Sequence, residues 1–184
     1  MNNFFEKSSS LIKKISAIIF LLITLASCAT STRRPDVNPN EDVLDQAEAN
    51  ATSGGKKILI VSRGMISSQE VVIGGCWDYI NKVYERAGFS SNQIDTVFKS
   101  KFHGPYFAIE SVQAGDWLYF VNHSYRDTEH SAIFVMWTNI EKKEALMVSY
   151  NGENRKKPAN YKIFLLNNIY NVFRPFNNGV VYSP

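Results

Sequence analysis

Cys76 and His130 are the two residues of this chain whose types and settings suit nucleophilic chemistry. Cys76 follows Gly74 and Gly75 and opens Cys76-Trp77-Asp78-Tyr79-Ile80, while His130 opens His130-Ser131-Ala132-Ile133-Phe134-Val135. A cysteine attacks as its thiolate, and the ordinary thiol pKa of about 8.5 falls at a helix N-terminus or beside an imidazolium. The first turn of a helix leaves backbone N–H groups unpaired and so favours negative charge. The same N–H groups, Gly75 among them, are candidate donors to an oxyanion. Gly74 and Gly75 also reach backbone angles closed to other residues and leave room for a substrate to approach the main chain. A histidine at a strand start has a fixed backbone beneath it and an open end above, which suits a general base. His103 and His123 fall in loop segments and read as surface residues. A second reading of Cys76 stays open, that of a small apolar side chain in a core.

The elements that must position these residues are legible in outline. Trp77, Ile80, Val83, Tyr84 and Ala87 recur at helical spacing, with Asp78, Asn81, Lys82, Glu85 and Arg86 on the other face, which predicts a helix over 76–87 ended by Gly88. Trp77 is expected in the core, on the face of Ile80 and Tyr84. Strands are predicted over 117–121, 130–138, 145–150, 161–166 and 169–173, separated by turn-rich or polar segments. Residues 58–61 are apolar in a row and fit a buried strand or a buried helix equally. A helix followed by antiparallel strands predicts an α+β domain.

The N-terminus reads as an export signal. Lys7, Lys13 and Lys14 precede the apolar run 15–25, and small residues follow. The run is shorter than the roughly 20 residues that a membrane-spanning helix needs. Leu25-Ala26-Ser27-Cys28 resembles the bacterial lipoprotein signal. That resemblance implies acylation of Cys28, cleavage before it and a lipid anchor, and Ala29 in the next position implies the outer membrane. Residues 1–27 hold three lysines and one glutamate, so their removal takes the length from 184 to 157 and the formal charge from +3 to +1. A near-neutral chain gives no reason to expect nucleic acid as a partner. At 45% hydrophobic and 13% aromatic the rest is globular in composition. Residues 28–55, polar with Pro35, Pro39 and Gly54-Gly55, are expected to be a flexible tether, with a short helix over 41–51 capped by Asn40. The domain is then expected over 56–184. Cys28 and Cys76 are the two cysteines. With lipid on Cys28, Cys76 is left without an internal disulfide partner, which in an exported chain points to a partner chain or a reactive thiol.

Three segments together resemble the NlpC-type cell-wall peptidases, a papain-like cysteine peptidase family. These are Gly74-Gly75-Cys76-Trp77-Asp78-Tyr79-Ile80, then Val112-Gln113-Ala114-Gly115-Asp116-Trp117-Leu118-Tyr119-Phe120, then the segment His130 to Val135; Val172-Phe173-Arg174-Pro175 looks like the family's closing strand. The resemblance covers roughly residues 56–176. It implies a papain-like fold with the active-site helix packed on an antiparallel sheet. It makes Cys76 the nucleophile and His130 the base, and it places the third, imidazole-orienting residue at Ser149, with Asn151 as a nearby substitute. Cys76-Trp77 is also similar to the papain branch, in which an upstream glutamine helps hold the oxyanion; Gln69 is the residue that could serve there, and a surface glutamine in the loop is its other reading.

The expected function is therefore that of a lipid-anchored cysteine peptidase or amidase acting on peptidoglycan stem peptides. The alternative is a non-catalytic binding or scaffolding lipoprotein of the envelope with the same fold. A transferase that passes the acyl group to an amine is a third reading. No zinc-like ligand spacing and no phosphate-binding loop is present in the sequence, so no cofactor is expected. Arg155-Lys156-Lys157 reads as a solvated loop.

Overall fold

The computed structural model describes residues 36–123 and 125–176. The expected signal segment and Cys28 lie outside these residues. Seven strands form one antiparallel sheet: β1 (Asp36–Val37), β2 (Ile94–Lys99), β3 (Trp117–Asn122), β4 (Thr128–Asn139), β5 (Glu144–Ser149), β6 (Asn160–Leu165) and β7 (Ile169–Pro175), in the spatial order β1-β6-β5-β4-β3-β7-β2. Three helices precede most of the sheet: α1 (Glu41–Asn50), α2 (Ser53–Ser67) and α3 (Cys76–Arg86). The chain is α+β.

Side-chain alternation sorts the strand residues onto two faces. Trp117 pairs with Ile133, and Ile133 with Val148. These three join Ile58, Tyr79, Ile80, Val83 and Tyr84 in one buried cluster beneath the helices. Leu118, Ala132, Phe134 and Met147 alternate to the other face, where they cluster with Phe120, Phe164 and Val172. That second face is covered by the connection ahead of β3, through Phe107, Ile109 and Val112. Both faces of the sheet are thus apolar, which is why its central strands read as rich hydrophobic runs.

Residues 36–55 do not form the expected tether. β1 pairs with β6, α1 buries Leu44 and Ala47, and Gly54 and Gly55 lie buried within α2. Arg63 of α2 reaches Asp45 at 2.6 Å and Glu48 at 3.3 Å on α1. The composition is polar because these elements show one narrow apolar stripe to the core and charge to solvent. Residues 58–61 are helical: Ile58, Leu59, Ser62 and Met65 are buried at helical spacing, and Ile60 is 48% exposed. Thr52 caps this helix by accepting from the Gly55 N–H. Asn40 precedes α1 without a side-chain cap bond.

The start of α2 meets the turn before β3 at very short range. A Cβ on Gly55 would lie 2.1 Å from Ala114 O, and one on Gly115 would lie 2.5 Å from Gly55 Cα. Gly115 has φ +90°, a left-handed angle that a side chain disfavours. Next to it, Asp116 is fully buried and receives two bonds from Arg174, Nε to Oδ1 at 2.7 Å and Nη2 to Oδ2 at 2.8 Å. The Gln113 N–H donates to the same carboxylate, and Arg174 Nη2 also donates to Ser111 O. The Gly-Asp and Arg-Pro segments, far apart in sequence, are therefore one buried contact. It fixes the start of β3 against the end of β7.

Candidate active site

Cys76 is the first residue of α3. Gly74, at φ +111°, turns the chain into the helix, and Gly75 is its extended cap residue. The Gly75 N–H donates to Asp78 Oδ2 at 2.7 Å. That bond removes Gly75 from the oxyanion donors expected of it, because its N–H is turned into the helix cap. The Cys76 N–H, in the first helical turn, remains the backbone donor nearest the thiol. Gly74 has no room for a side chain, since an added Cβ would sit 2.2 Å from the Asp78 carboxylate.

The loop after β5 docks onto this glycine turn. The Glu153 N–H donates to Gly74 O at 2.9 Å, Tyr150 donates its hydroxyl to Val72 O, and Tyr150 stacks on Tyr79 with centroids 4.8 Å apart. The docking brings Asn151 and Arg155 alongside Cys76. All three line a cavity of about 350 Å³ together with His130 and Lys162. That volume lies within the usual range for small-ligand sites.

His130 lies near the start of β4, with its ring between Phe120 and Phe164 at centroid distances of 5.6 and 5.4 Å. Ser149 Oγ, buried at the end of β5, lies 3.0 Å from His130 Nε2. With Nε2 protonated and donating to Ser149, Nδ1 carries the ring's lone pair. Burial holds the imidazole neutral and pushes its pKa down to about 4, with the nearby Lys162 cation adding to the shift.

Cys76 and His130 reach the cavity from different directions. His130 belongs to the Phe120–Phe164 face of the sheet, whereas α3 packs on the opposite face. The cavity lies at the end of the strands, where the two faces meet. Among the described residues no hydrogen bond joins Cys76 to His130.

Several expected residues lie elsewhere. Gln69 does not line the cavity. It is the exposed left-handed residue (φ +54°) that closes α2, its N–H donating to Ile66 O. The helix runs further than the apolar residues 58–61 indicate, so Gln69 is spent on its C-terminus. Trp77 is 50% exposed instead of buried, with its ring against Trp117 at 6.0 Å. His103 is exposed. His123 has its pKa raised by Asp127, which sits 2.7 Å from Nδ1, and its Nε2 lies 3.1 Å from Asn168 Oδ1. Neither histidine lines the cavity.

Lys162 is the functional candidate that sequence reading missed. It is 8% exposed, and its Nζ lies 3.4 Å from Asp36 Oδ1 and 3.5 Å from Asn151 Oδ1. A lysine inside the strand pattern Tyr161-Lys162-Ile163 looks like an ordinary solvent-facing residue. Only the covered second face of the sheet makes it unusual. Among the described residues no three His, Cys, Asp or Glu side chains are grouped to hold a metal ion, and no helix is long and apolar enough to cross a membrane.

Comparison with protein-family models, with curated proteins and with solved structures finds no match for this chain.

Proposed function

We propose that the protein is a cysteine peptidase or amidase of papain-like type, lipid-anchored through Cys28 in the cell envelope, hydrolysing amide bonds in peptidoglycan stem peptides. The observation that carries this reading is the sharing of one cavity by a helix-start cysteine and a histidine whose Nε2 lies 3.0 Å from the hydroxyl of a buried serine. The helix-then-antiparallel-sheet order supports the papain-like assignment. The wall substrate and the anchor rest on the sequence resemblances alone.

The chemistry follows from the groups present. His130 Nδ1 takes the Cys76 thiol proton, and the thiolate adds to the amide carbonyl carbon. The negative charge passes to the carbonyl oxygen, which the Cys76 N–H stabilises. The C–N bond breaks as the imidazolium returns its proton to the departing amine. Water, deprotonated by His130, then attacks the thioester; the C–S bond breaks and the thiol recovers its proton. Ser149 holds Nε2–H throughout and fixes the tautomer.

The test is thiol labelling and turnover in parallel. Iodoacetamide at pH 6 should modify Cys76 quickly in the full chain and slowly in His130→Ala. Purified stem peptides should release new amino groups with the full chain and none with Cys76→Ala. Slow labelling that ignores His130, with no amine release, would sink the enzyme reading.

A second reading is favoured by the missing Cys76–His130 hydrogen bond and by an imidazole that is a weak base. In that reading the protein is a non-catalytic binding or scaffolding lipoprotein that uses the same cavity. It predicts that the peptide is retained intact by the full chain.

A further inference from the structure

Charge in the cavity is one-sided. Among the described residues Lys162 and Arg155 line it, and no aspartate or glutamate does. Lysine is rarely buried without close partners, because removing an ammonium from water is costly. An ammonium has three donors. The two acceptors near Lys162, Asp36 Oδ1 at 3.4 Å and Asn151 Oδ1 at 3.5 Å, both lie beyond the usual hydrogen-bond length. Asp36 is also largely exposed, on a two-residue edge strand, so water screens it. Arg155 makes no ion pair among the described residues and sits in the loop docked on Gly74. His130, the third titratable nitrogen in the cavity, is neutral at physiological pH and adds no charge. What the cavity lacks is an acceptor with a formal negative charge.

We propose that this cavity takes a peptide bearing a free carboxylate, with Lys162 as the buried seat of that carboxylate and Arg155 as its second, outer contact. This rests on the reading of the cavity as the substrate site and names the class of substrate. A charge-assisted bond from a buried ammonium is stronger and shorter than a neutral one, so the carboxylate discriminates its amide analogue sharply. Lys162 and Arg155 carry two positive charges between them, so inorganic phosphate is the competing anion that the experiment includes. The carboxylate is either a chain-terminal one or a side-chain one.

The experiment reads binding without turnover. Full-length Cys76→Ala is titrated calorimetrically with four N-acetylated dipeptides: an alanine dipeptide with a free C-terminus, its C-terminal amide, and glutamyl-alanine and glutaminyl-alanine amides. At least one carboxylate peptide should bind about tenfold or more tighter than its amide partner. The pair that shows the difference identifies the carboxylate's source. Lys162→Met should erase the preference, Lys162→Arg should retain most of it, and Arg155→Gln, in an exposed loop, should reduce it severalfold. Equal binding of acid and amide in both pairs, or a preference that survives in a folded Lys162→Met protein, overturns the proposal. So does displacement of the peptides by inorganic phosphate at equal concentration. Amine release by the unsubstituted chain is measured separately. Carboxylate preference without turnover keeps this proposal and ends the peptidase reading, and turnover without carboxylate preference does the reverse.

Discussion

His130 Nε2 and Ser149 Oγ lie 3.0 Å apart on neighbouring strands, both at the end of the sheet that opens onto Cys76. Ser149 is buried and so does not leave that position for solvent. An imidazole tethered at one nitrogen presents the other in a fixed direction. β4 and β5 run side by side, so the short serine side chain spans the distance to the ring.

On the peptidase reading proposed above, Ser149→Ala should lower kcat by roughly tenfold to a hundredfold with little change in KM, since it removes orientation and not substrate contact. Ser149→Thr, which keeps the hydroxyl, should recover much of the loss. Steady-state kinetics on a stem peptide checks both.

The depressed pKa of His130 has a sign for stability. In the unfolded chain the imidazole titrates near 6.5, and in the folded one near 4. Between those values the unfolded state binds a proton that the folded state does not, so stability is fully present above about pH 6.5 and is lost as pH falls towards 4. The loss reaches at most about 3 kcal/mol from this group. His123, with its pKa raised by Asp127, works in the opposite sense, giving stability at low pH that is lost as pH rises. The difference between urea unfolding curves of the unsubstituted chain and His130→Phe, at pH 7 and pH 4.5, isolates the His130 part. A difference independent of pH would show that the ring is not buried neutral.

Asp116 and Arg174 should be strongly coupled. Arg174→Met leaves the fully buried Asp116 carboxylate without its cation and should cost about 3–5 kcal/mol. The double variant Asp116→Leu with Arg174→Met should cost clearly less than the two single changes added together. Chemical denaturation of all four proteins gives the coupling.

Two glycines should respond oppositely to alanine. Gly115→Ala places a Cβ 2.5 Å from the Gly55 backbone at φ +90° and should destabilise by more than about 2 kcal/mol. Gly64→Ala lies on the exposed side of α2 with nothing within 4 Å of the new atom. It should stabilise by up to about 1 kcal/mol, through helix propensity and lower unfolded-state entropy. Paired thermal melts decide.

Local pattern exposed much of this architecture. The helix opened by Cys76 and the strands near residues 117, 130, 145, 161 and 169 follow from apolar periodicity, because each element buries a face whose spacing its own residues carry. β2 was not legible. Ile94-Asp95-Thr96-Val97-Phe98-Lys99 is mostly exposed and forms a strand by pairing at the sheet edge with β7. The region 36–55 misled for the same reason, since short elements on the periphery show little apolar surface to a reader of composition. Gln69 misled because spacing upstream of a cysteine does not reveal that a helix ends there.

Sequence alone determined the residue types at the candidate site: one cysteine behind two glycines, a histidine near the start of a strand, and an order of elements that puts both in an α+β fold. Those depend on local backbone preference and periodicity, which neighbouring residues encode. Tertiary structure decided which nitrogen of His130 Ser149 holds, the capture of the Gly75 N–H by Asp78, the burial of Lys162, and the joining of Asp116 to Arg174. These contacts link segments distant in the chain, and their geometry comes from strand register and packing that no single segment contains.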